Sequence, residues 1–99
     1  MEQIENILKT LQDQKPYLSQ RYGITILGVF GSYVRGEQSD ESDIDILVEL
    51  EETRHVDLFD LANIERYLCD LLGLKVDLAI KSGLQKRIGK RILEEVVPV

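Results

Sequence analysis

The chain has a single cysteine, Cys69, so no internal disulfide can form, and an unpaired thiol fits a reducing compartment. It has no apolar run near the roughly 20 residues that span a bilayer. Residues 1–15 mix charge throughout, which leaves no stretch suited to a secretory signal. A cytoplasmic protein with no membrane partner is expected. The sequence contains no internal repeat and no linker. It is also short: 99 residues suggest one domain over 1–99 with a limited core and little room for a second substrate. Any acceptor of a chemical group is therefore expected on a partner. Acid is missing from residues 81–91, which carry Lys81, Lys86, Arg87, Lys90 and Arg91. That segment is +5 within a net charge of −6, so the rest of the chain is −11. An acidic body binds nucleic acid poorly without specific contacts, and no direct nucleic-acid partner is expected.

What remains is an ordinary globular balance, 43% hydrophobic and 30% charged. Ile4, Ile7, Leu8 and Leu11 recur at helical spacing, so residues 3–14 are expected to be helical. Pro16 is expected to interrupt that helix or to start a second piece, and Gly23 to end it. Ile24 to Phe30 is β-branched and aromatic, the pattern of a strand buried on both faces. Tyr33 to Arg35 can form a short helix capped by Ser32, followed by a polar loop over 36–42. Ile44 to Leu50 reads as a second strand, with Ile44, Ile46 and Val48 on one face and Asp43, Asp45 and Leu47 on the other. Residues 51–55 read as polar and exposed. Asp57 to Leu72 is the clearest helix, with a stripe of Leu58, Leu61, Ile64, Leu68 and Leu71 and a stop at Gly73. Lys75 to Ile80 reads as a third strand, and Ser82 to Val96 as a last helix with Leu84, Ile88 and Ile92 on one side. Pro98 is assigned to a short tail. The expected fold is α/β: a small mixed sheet of three or more strands flanked by helices.

The stretch with chemical content runs from Gly28 to Glu49. Asp43 and Asp45 lie two residues apart on a strand, so both side chains leave from one face. Two ionised carboxylates that close repel each other, and a bound divalent cation removes that cost. Carboxylate oxygens suit Mg²⁺, which pairs one or two carboxylates with substrate phosphates. Asp77 is a third acid, set among Val76, Leu78 and Ala79 on another strand. If the strands are neighbours, three carboxylates converge and can hold two metals roughly 4 Å apart. Gly31-Ser32 supplies the other half. A strand ending in glycine lets a phosphate approach the backbone, and Ser32 offers a hydroxyl at the start of a short helix. A nucleoside triphosphate with Mg²⁺ fits both halves.

Gly31-Ser32, ten residues, then Asp43-Ile44-Asp45 resembles the Gly-Ser…Asp-x-Asp signature of the polymerase β-like nucleotidyltransferase superfamily. The run Gly31-Ser32-Tyr33-Val34-Arg35-Gly36, followed by Ser42-Asp43-Ile44-Asp45-Ile46-Leu47-Val48, is similar to its minimal nucleotidyltransferase (MNT) branch. Members of that branch often carry alanine at the position of Val34. Asp77 stands where the third carboxylate is expected. The resemblance covers nearly the whole chain and implies the polymerase β-like core. It implies transfer of a nucleoside monophosphate from a nucleotide such as ATP to an acceptor hydroxyl, with release of pyrophosphate. In that reading Asp43, Asp45 and Asp77 are the catalytic and metal-binding acids, Asp77 also serving the acceptor oxygen. Gly31, Ser32 and Arg35 bind the nucleotide. Chains of this size resemble the antitoxin of HEPN/MNT toxin–antitoxin pairs, in which AMP is added to a tyrosine of a HEPN ribonuclease and silences it.

Each of these residues also has a plainer reading. Asp-x-Asp alone is a weak motif that could cap a loop. An EF-hand is excluded, because Val48 stands where that loop needs glycine. A nucleotide-sugar transferase could use Asp-x-Asp, but the chain is short for one. Arg35 suits a phosphate contact or a structural ion pair. Tyr33 suits packing beside the loop better than stacking on a base, His55 a solvated loop, and Cys69 a core position. The basic segment reads as a solvated helix face supported by Lys90–Glu94 and Arg91–Glu95 pairs at i, i+4, more than as a partner-facing or RNA-facing patch. Two rival functions stand beside protein adenylylation: an antitoxin that acts by binding alone, and a nucleotidyltransferase for a small molecule.

Overall fold

The computed structural model describes residues 2–39, 41–52, 55–84 and 86–99. The long first helix, α1 (Glu2–Tyr22), runs straight through Pro16. The break expected there does not occur. Leu11 and Leu18 are fully buried on the two sides of the proline. They lie two turns apart on one face, and their packing outweighs the lost hydrogen bond of the proline nitrogen. Gly23 ends the helix with a positive φ of 77°, its N–H donating to the Ser19 carbonyl at 3.0 Å.

Next come β1 (Ile24–Phe30), the one-turn helix α2 (Ser32–Arg35) and β2 (Ile44–Leu50). They are followed by α3 (Leu58–Leu72), β3 (Val76–Ile80), a 3₁₀ turn at Lys81–Gly83, α4 (Lys86–Glu95) and β4 (Val97–Pro98). The sheet order is β3-β2-β1-β4. β1 pairs antiparallel with β2 and with β4, and β2 pairs parallel with β3. The sheet is mixed and flanked by helices, as expected, with one strand more than the three read individually. That strand, β4, was assigned to a tail. Its β-branched residues pair Val97 with Val29 and Pro98 with Gly28. A proline is tolerated there because β4 is the edge strand.

One face of the sheet carries the core. Ile26 lies opposite Val48, and Val29 opposite Ile46, all fully buried. Ile44 pairs with Val76 on the same face. Leu11, Leu18, Ile64 and Leu68 cover this face from α1 and α3. A register shift between Ile26 and Gly28 inserts Leu27 as a bulge. The bulge moves the buried position from even to odd residues, so Val29 rather than Gly28 faces the core. Burial of β1 on its second face is partial: Gly28, opposite the fully buried Leu47, is buried there, whereas Thr25, Leu27 and Phe30 are half-buried.

α3 begins on a reciprocal cap. The Asp57 carboxylate accepts from the Asp60 N–H at 2.8 Å, and the Asp60 carboxylate accepts from the Asp57 N–H at 3.2 Å. Only the middle of its expected stripe is buried. Leu58 is 80% exposed and Leu71 43% exposed, and at the C-terminal end Leu72 rather than Leu71 packs against the core. Ser82 lies in the 3₁₀ turn and does not cap α4. Thr53 and Arg54, and the side chains of Lys86, Arg87 and Ile88, lie outside the described residues.

Candidate active site

The second face of the sheet holds the acids. Phe30 is the Cα partner of Asp45 across β1–β2, and Asp45 is the Cα partner of Asp77 across β2–β3. Partners in a sheet share a face, so β1, β2 and β3 present Phe30, Asp45 and Asp77 in one row. Asp43 immediately precedes β2 and is exposed, as is Asp77. Asp45 is half-buried. The expected neighbourhood of the two acid-bearing strands is therefore present. The expected convergence is not: among the described residues no three His, Cys, Asp or Glu side chains already gather as a metal-ligand set. Asp45 turns towards β1, whereas Asp77 stands on the opposite side of β2 in solvent.

Where Asp45 turns, it meets Gly31. That glycine has φ 87°, in the region that favours glycine, and a Cβ there would collide with the Asp45 carboxylate. So the end of β1 and the acid of β2 are in direct contact, and a larger residue at 31 would separate them. Gly31 is also the cap residue of α2. Its carbonyl accepts from Val34 N–H at 3.1 Å and Arg35 N–H at 3.2 Å. Ser32 was expected as the cap. It is instead the first helical residue, because only glycine takes the positive φ needed at the turn. Tyr33 is buried in the core cluster, in keeping with a packing role.

Electrostatics couple the acids despite their separation. Burial, then the charges of Asp77 and Asp43, push the Asp45 carboxyl up to about 6, against a smaller opposing pull from Arg35. Glu65 on α3 was not picked out by its sequence context, yet it faces the same field. Burial and the charges of Asp77 and Asp43 raise its carboxyl above the ordinary range. An acid site with this much mutual repulsion is chemically suited to a divalent cation.

Arg35 is exposed and divided between two acids. Its Nη1 donates to Glu95 Oε1 at 2.6 Å, and its Nε lies 3.2 Å from Glu37 Oε1. Glu95 Oε1 also accepts from the Gly31 N–H at 3.1 Å. The Arg91–Glu95 pair expected along α4 therefore gives way to a tertiary contact. Phe30, Gly31, Arg35, Asp45, Arg91, Ile92 and Glu95 line an open groove of about 280 Å³. A larger groove of about 520 Å³, between Glu49–Glu52 and Lys81–Ser82, lies at the far end of β2, away from the coupled acids. Chemistry rather than size selects the smaller one. His55 is exposed, and Cys69 is half-buried, its Sγ accepting from the Val76 N–H at 3.3 Å.

The model of the nucleotidyltransferase domain family matches residues 4–99. The chain is a nucleotidyltransferase. Its relatives narrow the type. It is 48% identical to the protein adenylyltransferase MntA of Thermococcus cleftensis, over its full length and 95% of that protein. It is 43% identical to MJ0128 of Methanocaldococcus jannaschii, provisionally named a protein adenylyltransferase, over 96% of this chain and 95% of that protein. Among solved structures, one provisionally described as a minimal nucleotidyltransferase superposes with a TM-score of 0.72 at 38% identity, covering 93% of this chain and 95% of the other. A chain of a toxin–antitoxin complex with AMP-PNP shares the fold, with a TM-score of 0.68 at 22% identity, covering 95% of this nucleotidyltransferase and 70% of its counterpart. No helix among the described residues is long and apolar enough to cross a membrane.

Proposed function

We propose that this nucleotidyltransferase is an antitoxin that transfers AMP from ATP to a tyrosine of a partner HEPN ribonuclease and so silences it. The observation that carries the reading is the contact between Gly31 and the Asp45 carboxylate, with Asp77 the register partner of Asp45. That contact joins a backbone turn whose Gly31 N–H already donates to an anionic oxygen, that of Glu95, with an acid row suited to Mg²⁺. The names of the relatives, protein adenylyltransferases, support the choice of a protein acceptor.

In this reading Gly31, Ser32 and Arg35 hold the triphosphate: the Gly31 N–H, the Ser32 hydroxyl and the Arg35 guanidinium all donate to anionic oxygen. Asp43, Asp45 and Asp77 are the residues that would hold Mg²⁺. Bound there, the ion would offset phosphate charge and ease loss of the acceptor proton. The acceptor oxygen attacks the α-phosphorus, an O–P bond forms, the bond from the α-phosphorus to the bridging oxygen breaks, and pyrophosphate leaves with that electron pair. Asp77, the exposed acid on β3, is the residue assigned to take the tyrosine proton in this reading. The groove is slightly smaller than the roughly 300 Å³ at which small-molecule pockets usually begin. The groove is open to solvent, which suits an acceptor brought by another protein. The cytoplasm is the compartment that fits a lone free thiol and an ATP donor.

Incubation with labelled ATP, Mg²⁺ and the HEPN product of a neighbouring gene tests the reading. Label is expected on a partner tyrosine and lost in Asp43→Ala and Asp45→Ala. Full neutralisation of the toxin by those variants would favour an antitoxin that acts by binding alone.

A further inference from the structure

Glu95 is an acid where the site needs a donor surface left open. Its Oε1 takes both the Gly31 N–H, at 3.1 Å, and the Arg35 Nη1, at 2.6 Å. One anionic oxygen shared by a backbone amide and a guanidinium is the arrangement a phosphate oxygen makes. The carboxylate is held there against electrostatic opposition, since Asp45 faces the same groove and Glu95 adds to the charge acting on it.

Its backbone position is firm. Glu95 is the last residue of α4, and after Val96 the chain enters β4, which pairs with β1 at Val29 and Gly28. That pairing holds Glu95 beside Gly31. Moving the carboxylate away requires only a side-chain rotation. A destination is available: Arg91 is one turn earlier on α4, at the i, i+4 spacing that favours an ion pair, and it lines the same groove.

We propose that Glu95 is a built-in stand-in for a nucleoside triphosphate: it occupies the Gly31 amide and Arg35, and swings onto Arg91 when a phosphate displaces it. This rests on the reading that the groove receives a nucleotide. The exchange makes nucleotide affinity a competition between an intramolecular carboxylate and the incoming phosphate. It also keeps Arg35 oriented before substrate arrives.

Isothermal titration of the full chain with a non-hydrolysable ATP analogue and Mg²⁺ tests it. Glu95→Gln keeps the shape and removes the charge, and the analogue is expected to bind about 5–10-fold more tightly. Arg91→Ala removes the alternative partner. It is expected to weaken binding several-fold in the parent chain and to have no effect when combined with Glu95→Gln. If the parent chain binds and Glu95→Gln binds equally or less well, Glu95 merely props Arg35 and the inference fails, while the nucleotidyltransferase assignment of the groove stands. Additive effects of the two substitutions would also overturn the exchange. If neither the parent nor Glu95→Gln binds the analogue, the groove is not the nucleotide site and both readings fall.

Discussion

Asp45 carries two properties that pull in opposite directions, a buried position and a charge. Its carboxyl is raised from 3.8 to about 6 in the fold, so between those values the folded chain binds more protons than the unfolded one. Stability from this group is therefore fully present below about pH 4 and lost as pH rises through about 6. Asp45→Asn removes that loss. Without Mg²⁺ at pH 7.5 it is expected to stabilise the chain by about 1 kcal/mol, after allowance for solvent screening of a half-exposed group, with the gap to the parent closing as pH falls to 4. Thermal melts across that range check it, and no change in the gap with pH would mean that Asp45 is not held above its usual range. The same substitution is expected to lower AMP transfer by at least about a hundredfold. Gly31→Ala forces a positive φ on alanine and drives its methyl into the Asp45 carboxylate. A loss of about 2 kcal/mol or more in denaturant melts is expected, with transfer activity lost alongside.

Among the elements, β2 was legible to the residue: Ile44–Leu50 alternates and carries the motif, and it is the strand observed. α3 was nearly as clear, because Asp57 and Gly73 punctuate it at both ends. Three features were not legible. Pro16 looked like a break, since local chemistry cannot see that Leu11 and Leu18 are pinned by the sheet. The ends of the α3 stripe looked buried, since periodicity marks a face only to within a residue: Leu72, not Leu71, packs on the core. β4 is two residues long, too short for any pattern, although the Val96-Val97-Pro98-Val99 run carries a strand composition. Each miss suggests a measurement. Pro16→Ala is expected to stabilise by about 2 kcal/mol, as a helical hydrogen bond is gained at some cost in unfolded-state entropy. No gain in a thermal melt would show that the helix bends around the proline at little cost. Gly28→Ala would push a methyl into the Val97 carbonyl and the Val96 side chain. It is expected to detach β4 at a cost of about 1–3 kcal/mol. Amide hydrogen exchange at Val97 and Val99 reads that detachment directly, because the Val99 N–H donates to the Leu27 carbonyl at 3.3 Å.

At the scale of the molecule, the candidate site was legible as a motif but not as a geometry. Gly31, Ser32, Asp43, Asp45 and Asp77 stood out because glycine, hydroxyl and acids at fixed spacing serve one chemistry. Their tertiary relations could not be read: the turn of Asp45 onto Gly31, the exposure of Asp77 and the crossing of Glu95 from α4 to Arg35. Glu95 was misassigned because its local partner Arg91 satisfies a helical rule, while its actual partners lie 60 and 64 residues away in sequence. The fold covers one face of the sheet with α1 and α3, and on the other leaves Asp45 half-buried and Asp77 exposed. The second face of the sheet is proposed to transfer AMP to a partner's tyrosine through its acid row. The most direct measurement is intact-mass analysis of the HEPN partner after incubation with this chain, ATP and Mg²⁺. A mass gain of whole AMP units on the partner is expected, localised to a tyrosine and absent with Asp45→Asn. No mass gain with the parent chain, or an equal gain with Asp45→Asn, would contradict it.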